Sequence, residues 1–86
     1  MNKPYVLRNE DVVGLVAEIP EGHHHLRTTL TLADGISLTF QEATLAAIVR
    51  AYIAVKTDPK RTSVTMHGGL MEQRKPGYAE WQLTEE

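Results

Sequence analysis

Residues 30–40 read LTLADGISLTF, and this stretch decides the fold. Apolar and polar residues alternate on both sides of its central ADG, which is typical of two half-buried strands joined in a hairpin. A two-residue loop, Asp34-Gly35, would place the two apolar sets on opposite faces. A three-residue loop pairs Leu32 with Ile36 and puts Gly35 where a positive φ is needed, so we predict the three-residue loop.

Upstream of this hairpin lies a further apolar segment. Residues 12–19 are apolar at both odd and even positions, which is typical of a strand covered on both faces. The next segment alternates instead and has two different faces. One face carries Leu26, Leu30 and Leu32, and the opposite one carries His23, His25, Arg27, Thr29 and Thr31. The first half of the chain therefore predicts three consecutive strands.

Residues 43–55 have helical composition and follow a helix-start signal. Thr39 and Glu42 have the spacing of a capping box, which predicts a helix that begins at 40–41. Lys56 suits the negative end of the helix dipole, so we expect the helix to end there. The helix has a side of large residues, which we expect to pack on the sheet, and a side of small ones. The large side comprises Leu45, Ile48, Val49, Tyr52 and Val55.

A second hairpin follows the predicted helix. Apolar residues alternate over 64–70 and again over 79–83, on either side of a Pro-Gly turn at 75–77. The pair Gly68-Gly69 interrupts the side-chain rows of the first arm. Such a gap indicates a bulge or a close approach by another group.

Length and composition limit the fold further. The chain has 86 residues, 42% hydrophobic and 23% charged, which is typical of one small globular core. We predict a single small globular domain over residues 1–86 of the α+β class. It has an antiparallel sheet of four to five strands with one helix packed on one face, in the order β-β-β-α-β-β. The chain has no cysteine, which excludes disulfides, thiolate metal sites and a cysteine nucleophile.

The predicted core draws on every element. It comprises Leu15, Leu30, Leu32, Ile36, Leu38, Phe40, Leu45, Ile48, Val49, Tyr52, Val64, Met66, Trp81 and Leu83.

The small side of the predicted helix is the most informative feature for function. It carries Ala43, Ala46, Ala47, Arg50 and Ala54, a smooth stripe on which another backbone can approach closely. Since the chain supplies no second predicted helix, we expect a second copy to pack there as the interface of a homodimer, with an exposed sheet edge as the other candidate contact. The alternative is that alanine, the best helix former, simply faces water.

The histidines suggest a second function. In a strand, His23 and His25 project together, and His67 on a neighbouring strand can add a third nitrogen for a divalent metal such as Zn²⁺. His24 would point to the other face. The alternative is that these residues form the polar end of a strand after a glycine turn. We carry the metal site as a hypothesis and expect no other cofactor.

Two basic pairs, Lys60-Arg61 and Arg74-Lys75, lie in predicted loops, and Tyr78 is placed to stack on a base. The alternative is that both are solvated turns. The formal net charge of -2 argues against nucleic acid as a partner.

Catalysis has little support in the sequence. Ser37 and Ser63 lie outside any nucleophile-elbow pattern, so we predict no catalytic residues, and an enzyme would need residues from a partner chain. The N-terminus lacks a signal-like apolar stretch, and the segment 43–55 is shorter than the ~20 residues of a membrane span. We therefore predict a cytoplasmic protein without membrane contact.

The leading hypothesis is a small non-catalytic binding or assembly module that self-associates. The alternative is a metal- or small-ligand-binding domain that uses the polar, histidine-bearing face of the sheet. The sequence identifies no other protein partner.

Overall fold

The computed structural model of the chain describes residues 5–71, 76 and 79–85. It contains five strands and one α-helix in the order β-β-β-α-β-β, which confirms the predicted α+β class and element order. The strands are β1 (Val12–Glu18), β2 (Arg27–Leu32), β3 (Ser37–Gln41), β4 (Met66–Leu70) and β5 (Trp81–Glu85), and the helix is α1 (Glu42–Lys56). A short 3-10 turn, Asn9–Asp11, precedes β1.

The strands are antiparallel, as predicted, but they lie in two sheets instead of one. One sheet has the order β1-β2-β3 and the other pairs β4 with β5. Each hairpin satisfies its backbone by local pairing, and alternation along a strand does not specify a partner outside its own hairpin. The chain divides into two compact units, Met1–Phe40 and Gln41–Glu86, and within the second unit α1 packs against β5. A single domain over residues 1–86 stays a prediction.

The three-residue loop of the first hairpin is confirmed. The Leu32 N–H donates to the Ile36 carbonyl at 2.8 Å, which is the predicted pairing. Gly35 has a φ of 91°, a conformation that a residue with a Cβ rarely adopts. The Asp34 carboxylate accepts a hydrogen bond from the Ile36 N–H at 3.0 Å and so fixes the turn.

The capping box predicted from Thr39 and Glu42 is wrong. β3 continues in extended conformation through Gln41, which is the N-cap of α1 and makes no side-chain capping bond. The Thr39 hydroxyl instead lies 2.9 Å from the hydroxyl of Thr29 on β2, a cross-strand hydrogen bond. Thr39 therefore stabilises the pairing of β2 with β3 and does not cap the helix. The helix ends at Lys56, as predicted.

A bulge changes the faces of β1. Val12 lies opposite Leu32 and Leu15 lies opposite Leu30, with a register shift between Val12 and Gly14. Val13 is the extra residue on this strand. Because of it, Val12 and Leu15 share the face of the β2 leucines, although strict alternation places them on opposite faces.

The chain buries few of its described hydrophobic side chains, which corrects half of the predicted core. Among the described residues, the buried hydrophobic ones are Leu32, 7% exposed, and Ala47, 1% exposed. Predicted core residues that are exposed instead are Leu15, Ile36, Leu38, Ile48, Val49, Tyr52 and Trp81. The expectation that β1 is covered on both faces is also wrong. Alternation shows which residues of a strand share a face, but it does not provide a second layer that covers that face.

Candidate functional site

Helix α1 turns its small residues inward, which reverses the predicted packing. Ala47 is fully buried, and Ala43 and Ala54 on the same side are partly buried. From this side the Arg50 guanidinium donates to the Leu83 carbonyl on β5 at 3.2 Å. A stripe of alanines lets a helix approach a backbone closely, and here it does so within the chain.

This placement bears on the interface expected at Ala43, Ala46, Ala47, Arg50 and Ala54. Ala47 is covered by its own chain, and Arg50 already contacts β5. A contact between two chains at this stripe stays a prediction. The accessible side of α1 is the opposite one.

The opposite side of α1 is an open apolar surface. Ile48, Val49, Tyr52 and Ile53 are between 47% and 64% exposed, and Leu45 beside them is partly buried. We call these five residues the open helix face. The sequence distinguished the large side of the helix from the small side correctly. It did not identify which of the two packs against the rest of the chain. The available signal was Arg50, the cation near the alanine side, whose guanidinium donates to a backbone carbonyl of β5.

The three histidines proposed as metal ligands do not occupy one strand pair. His23 and His25 lie before β2, which begins at Arg27, so the alternation argument does not apply to them. The His23 N–H closes a turn on the Pro20 carbonyl at 2.9 Å. His67 lies on β4, in the other compact unit. Within residues 5–71, 76 and 79–85, no three His, Asp or Glu side chains form a group able to hold a metal ion.

The first basic pair is partly committed to internal contacts. The Arg61 guanidinium forms an ion pair with Glu85 on β5 and also donates to the Ser63 carbonyl at 3.1 Å. The Lys60 N–H donates to the Asp58 carboxylate at 2.9 Å, which fixes the loop after α1. The second pair, Arg74-Lys75, and Tyr78 lie outside the described residues.

Trp81 lies against the glycine pair of β4. A Cβ built on Gly68 would approach the indole atoms Cζ2 and Nε1 to 2.7 Å, whereas one built on Gly69 meets nothing within 4 Å. The β4–β5 register is regular along its whole length. The Gly68-Gly69 gap therefore marks a close approach and not a bulge. Trp81 remains 59% exposed, and Leu70 directly opposite it is also exposed.

The Asp11 carboxylate has a lowered pKa. The Arg8 guanidinium donates to Asp11 Oδ1 at 3.1 Å, and the Arg8 backbone N–H donates to Oδ2 at 3.0 Å. The side-chain bond is the larger cause, and both hold the pKa of Asp11 below its ordinary value because they favour the charged form. This carboxylate fixes the 3-10 turn before β1 and is not poised to donate a proton.

The comparisons with known proteins assign no family. No protein-family model, no curated protein and no solved structure matches the chain. Among the residues that the structure describes, no helix has both the length and the apolar character that crossing a membrane requires.

Proposed function

We propose that the chain is a non-catalytic assembly module that associates with further copies of itself. The observation that carries this proposal is the exposure of its apolar side chains. Of the large hydrophobic residues described, only Leu32 is buried, while residues of both compact units are half-exposed or more. Exposed apolar patches of several hundred Å² are characteristic of interaction sites.

The charge of the chain permits such a contact. A formal net charge of -2 gives weak repulsion between identical copies, since physiological salt screens charges beyond about 8 Å. The proposal keeps the cytoplasmic location that the sequence predicts.

The oligomeric state tests this function directly. Light scattering after size exclusion, on protein without an affinity tag, is expected to give at least twice the 9.6 kDa chain mass. The loading concentration should span about 1 to 100 µM, which covers association free energies of roughly 5 to 8 kcal/mol. A chain that stays monomeric over this range overturns the proposal.

The same experiment tests the alternative function. Added Zn²⁺ is expected to leave the mass unchanged if association rests on apolar contact. An assembly that forms only with Zn²⁺, and that is lost in a His25→Ala, His67→Ala double variant, would favour the metal-binding alternative instead.

A further inference from the structure

We propose that the open helix face is the contact between two copies of this chain, which cross antiparallel about a two-fold axis near Val49. This inference rests on the proposed function and specifies its surface. Four observations support it: the exposure of the face, its spacing, its charges and the position of its centre.

The spacing along α1 is that of a helix that packs on another helix. Glu42, Leu45, Val49, Tyr52 and Lys56 follow one another at intervals of three, four, three and four residues. Helices with apolar residues at these intervals present one continuous seam to a partner helix. We call these five positions of α1 the seam. Its three central positions are apolar, and its two end positions are charged. Ile48 and Ile53 flank it and are also half-exposed.

The buried side of the helix supports this orientation. Ala47 lies on the side of α1 opposite the seam, and it is the most buried hydrophobic residue of the described chain. The helix is therefore anchored to its own chain by its small residues. Its large residues extend away from that contact, where a second copy can reach them.

The charges favour an antiparallel pair. The seam begins at Glu42 and ends at Lys56, so two parallel copies would bring like charges together. In an antiparallel pair, Glu42 of each copy lies level with Lys56 of the partner subunit. The helix dipoles are also opposed in this arrangement, which is favourable. The charge pattern thus selects one of the two possible directions.

The centre of the seam coincides with the centre of the helix. Val49 lies seven residues from Glu42 and seven from Lys56, which is about 10 Å along the axis in each direction. A two-fold axis at Val49 therefore matches both ends of the seam at once. Such an interface uses the same patch on both copies, as in most homodimers.

A charged substitution in the seam tests the surface. Tyr52→Glu is expected to raise the dimer dissociation constant at least about tenfold, because the carboxylate would be desolvated at the contact. Leu70→Glu is the matched control, since Leu70 is also largely exposed but lies on β4. Leu70→Glu is expected to leave the constant within about twofold. Circular dichroism verifies that both variants keep the fold.

A cross-link tests the axis without depending on the charged variant. The chain has no cysteine, so Val49→Cys provides one thiol per copy. At a two-fold axis the two thiols meet, and mild oxidation is expected to give a covalent dimer, since a disulfide requires Cα atoms within about 7 Å. Leu70→Cys is expected to stay largely uncoupled under the same conditions.

The charge pairing has its own test. Glu42→Lys and Lys56→Glu are each expected to weaken the dimer, and the double variant is expected to regain affinity relative to both single variants. Recovery measures the coupling between the two ends of the seam. If the double variant dimerises no more tightly than the two single variants, the antiparallel direction is refuted.

The outcomes separate this inference from the proposed function. A monomeric wild-type chain overturns both. A dimeric wild-type chain that Tyr52→Glu leaves intact, or that Tyr52→Glu and Leu70→Glu weaken equally, overturns the assigned surface and leaves self-association standing. A selective loss with Tyr52→Glu, together with the Val49→Cys cross-link, supports the two-fold helix contact.

Discussion

Replacing Gly68 by alanine places a methyl group against the indole of Trp81. The ideal Cβ position lies 2.7 Å from Cζ2 and Nε1 and 2.8 Å from Cε2 of that ring. Carbon atoms attract best at 3.5 to 4.0 Å, so the ring has to move. Trp81 is more than half exposed, and it can swing toward solvent. We therefore expect the variant to fold with a displaced indole.

The cost follows from the surface that the ring would lose. Trp81 is 59% exposed, so roughly two-fifths of a side chain of about 250 Å² is covered, which is ~100 Å². At about 25 cal/mol per Å², full loss would cost ~2.5 kcal/mol. Alanine also restricts the unfolded chain, which returns about 0.4 to 1 kcal/mol. We expect Gly68→Ala to lower the free energy of unfolding by about 1 to 2 kcal/mol.

Gly69→Ala is the matched control. A Cβ at Gly69 meets nothing within 4 Å, and Gly69 has no positive φ. The same substitution one residue away is therefore expected to be neutral or to stabilise by a few tenths of a kcal/mol. Urea unfolding of both variants at one protein concentration gives the comparison, because association would otherwise shift the apparent stability.

Fluorescence supplies an independent measurement. Trp81 is the one tryptophan of the chain, so the emission reports this contact alone. Gly68→Ala is expected to shift the emission to longer wavelength, and Gly69→Ala is expected to leave it unchanged. Equal stability and equal spectra for the two variants would refute the reasoning that Gly68 is there to admit the indole.

Two further predictions concern single polar groups. Thr28 is buried, and its hydroxyl has no hydrogen-bond partner among the described residues, so Thr28→Val is expected to raise the free energy of unfolding by roughly 1 kcal/mol in urea titration. A loss of stability would show that the hydroxyl is satisfied. Arg8 lowers the pKa of Asp11 in the folded state. The stability that ionised Asp11 adds to the folded chain is therefore fully present above the ordinary carboxyl pKa of about 4, and it is lost as pH falls through the lower folded value. Asp11→Asn is expected to reduce stability at pH 7 and to flatten this acid-side decline, and an unchanged decline would contradict the assignment.

The first hairpin was predictable because its faces constrain its loop. Leu32 and Ile36 belong to apolar sets that must share a face, and only an odd loop length achieves this. The bulge at Val13 was not predictable in the same way. The position of the bulge depends on the pairing register between β1 and β2. The sequence of β1 alone is equally compatible with a regular strand.

The direction of α1 shows the limit of periodicity. Spacing at 3.6 residues per turn separated Ala47 from Tyr52 but did not say which of them faces the chain. The assumption that large residues point inward holds when a chain covers its own apolar surface. Here Ala47 is covered and Tyr52 is exposed, so the assumption is wrong for this helix. The same exposure of large apolar residues makes the open helix face a candidate contact surface.

Local signals also competed with tertiary contacts. Thr39 matched a helix cap, yet its hydroxyl bonds to Thr29 on the neighbouring strand. The Gly68-Gly69 pair indicated either a bulge or a close approach, and the sequence did not identify Trp81 as the group that approaches Gly68. Alternation along a strand does not place His23 and His25 on one face, because β2 begins at Arg27, after both residues, and the metal site stays a prediction.

The bulge on β1 has a consequence for how far assembly can proceed. β1 is an outer strand, and a regular outer strand offers a row of N–H and C=O groups that can template the next chain, and then another, into a filament. The extra residue at Val13 interrupts that row. A contact about a two-fold axis, in contrast, buries the same surface on both copies and leaves none of that surface for a third copy. At β1, the bulge therefore disfavours the addition of a further strand beside residues 12–14.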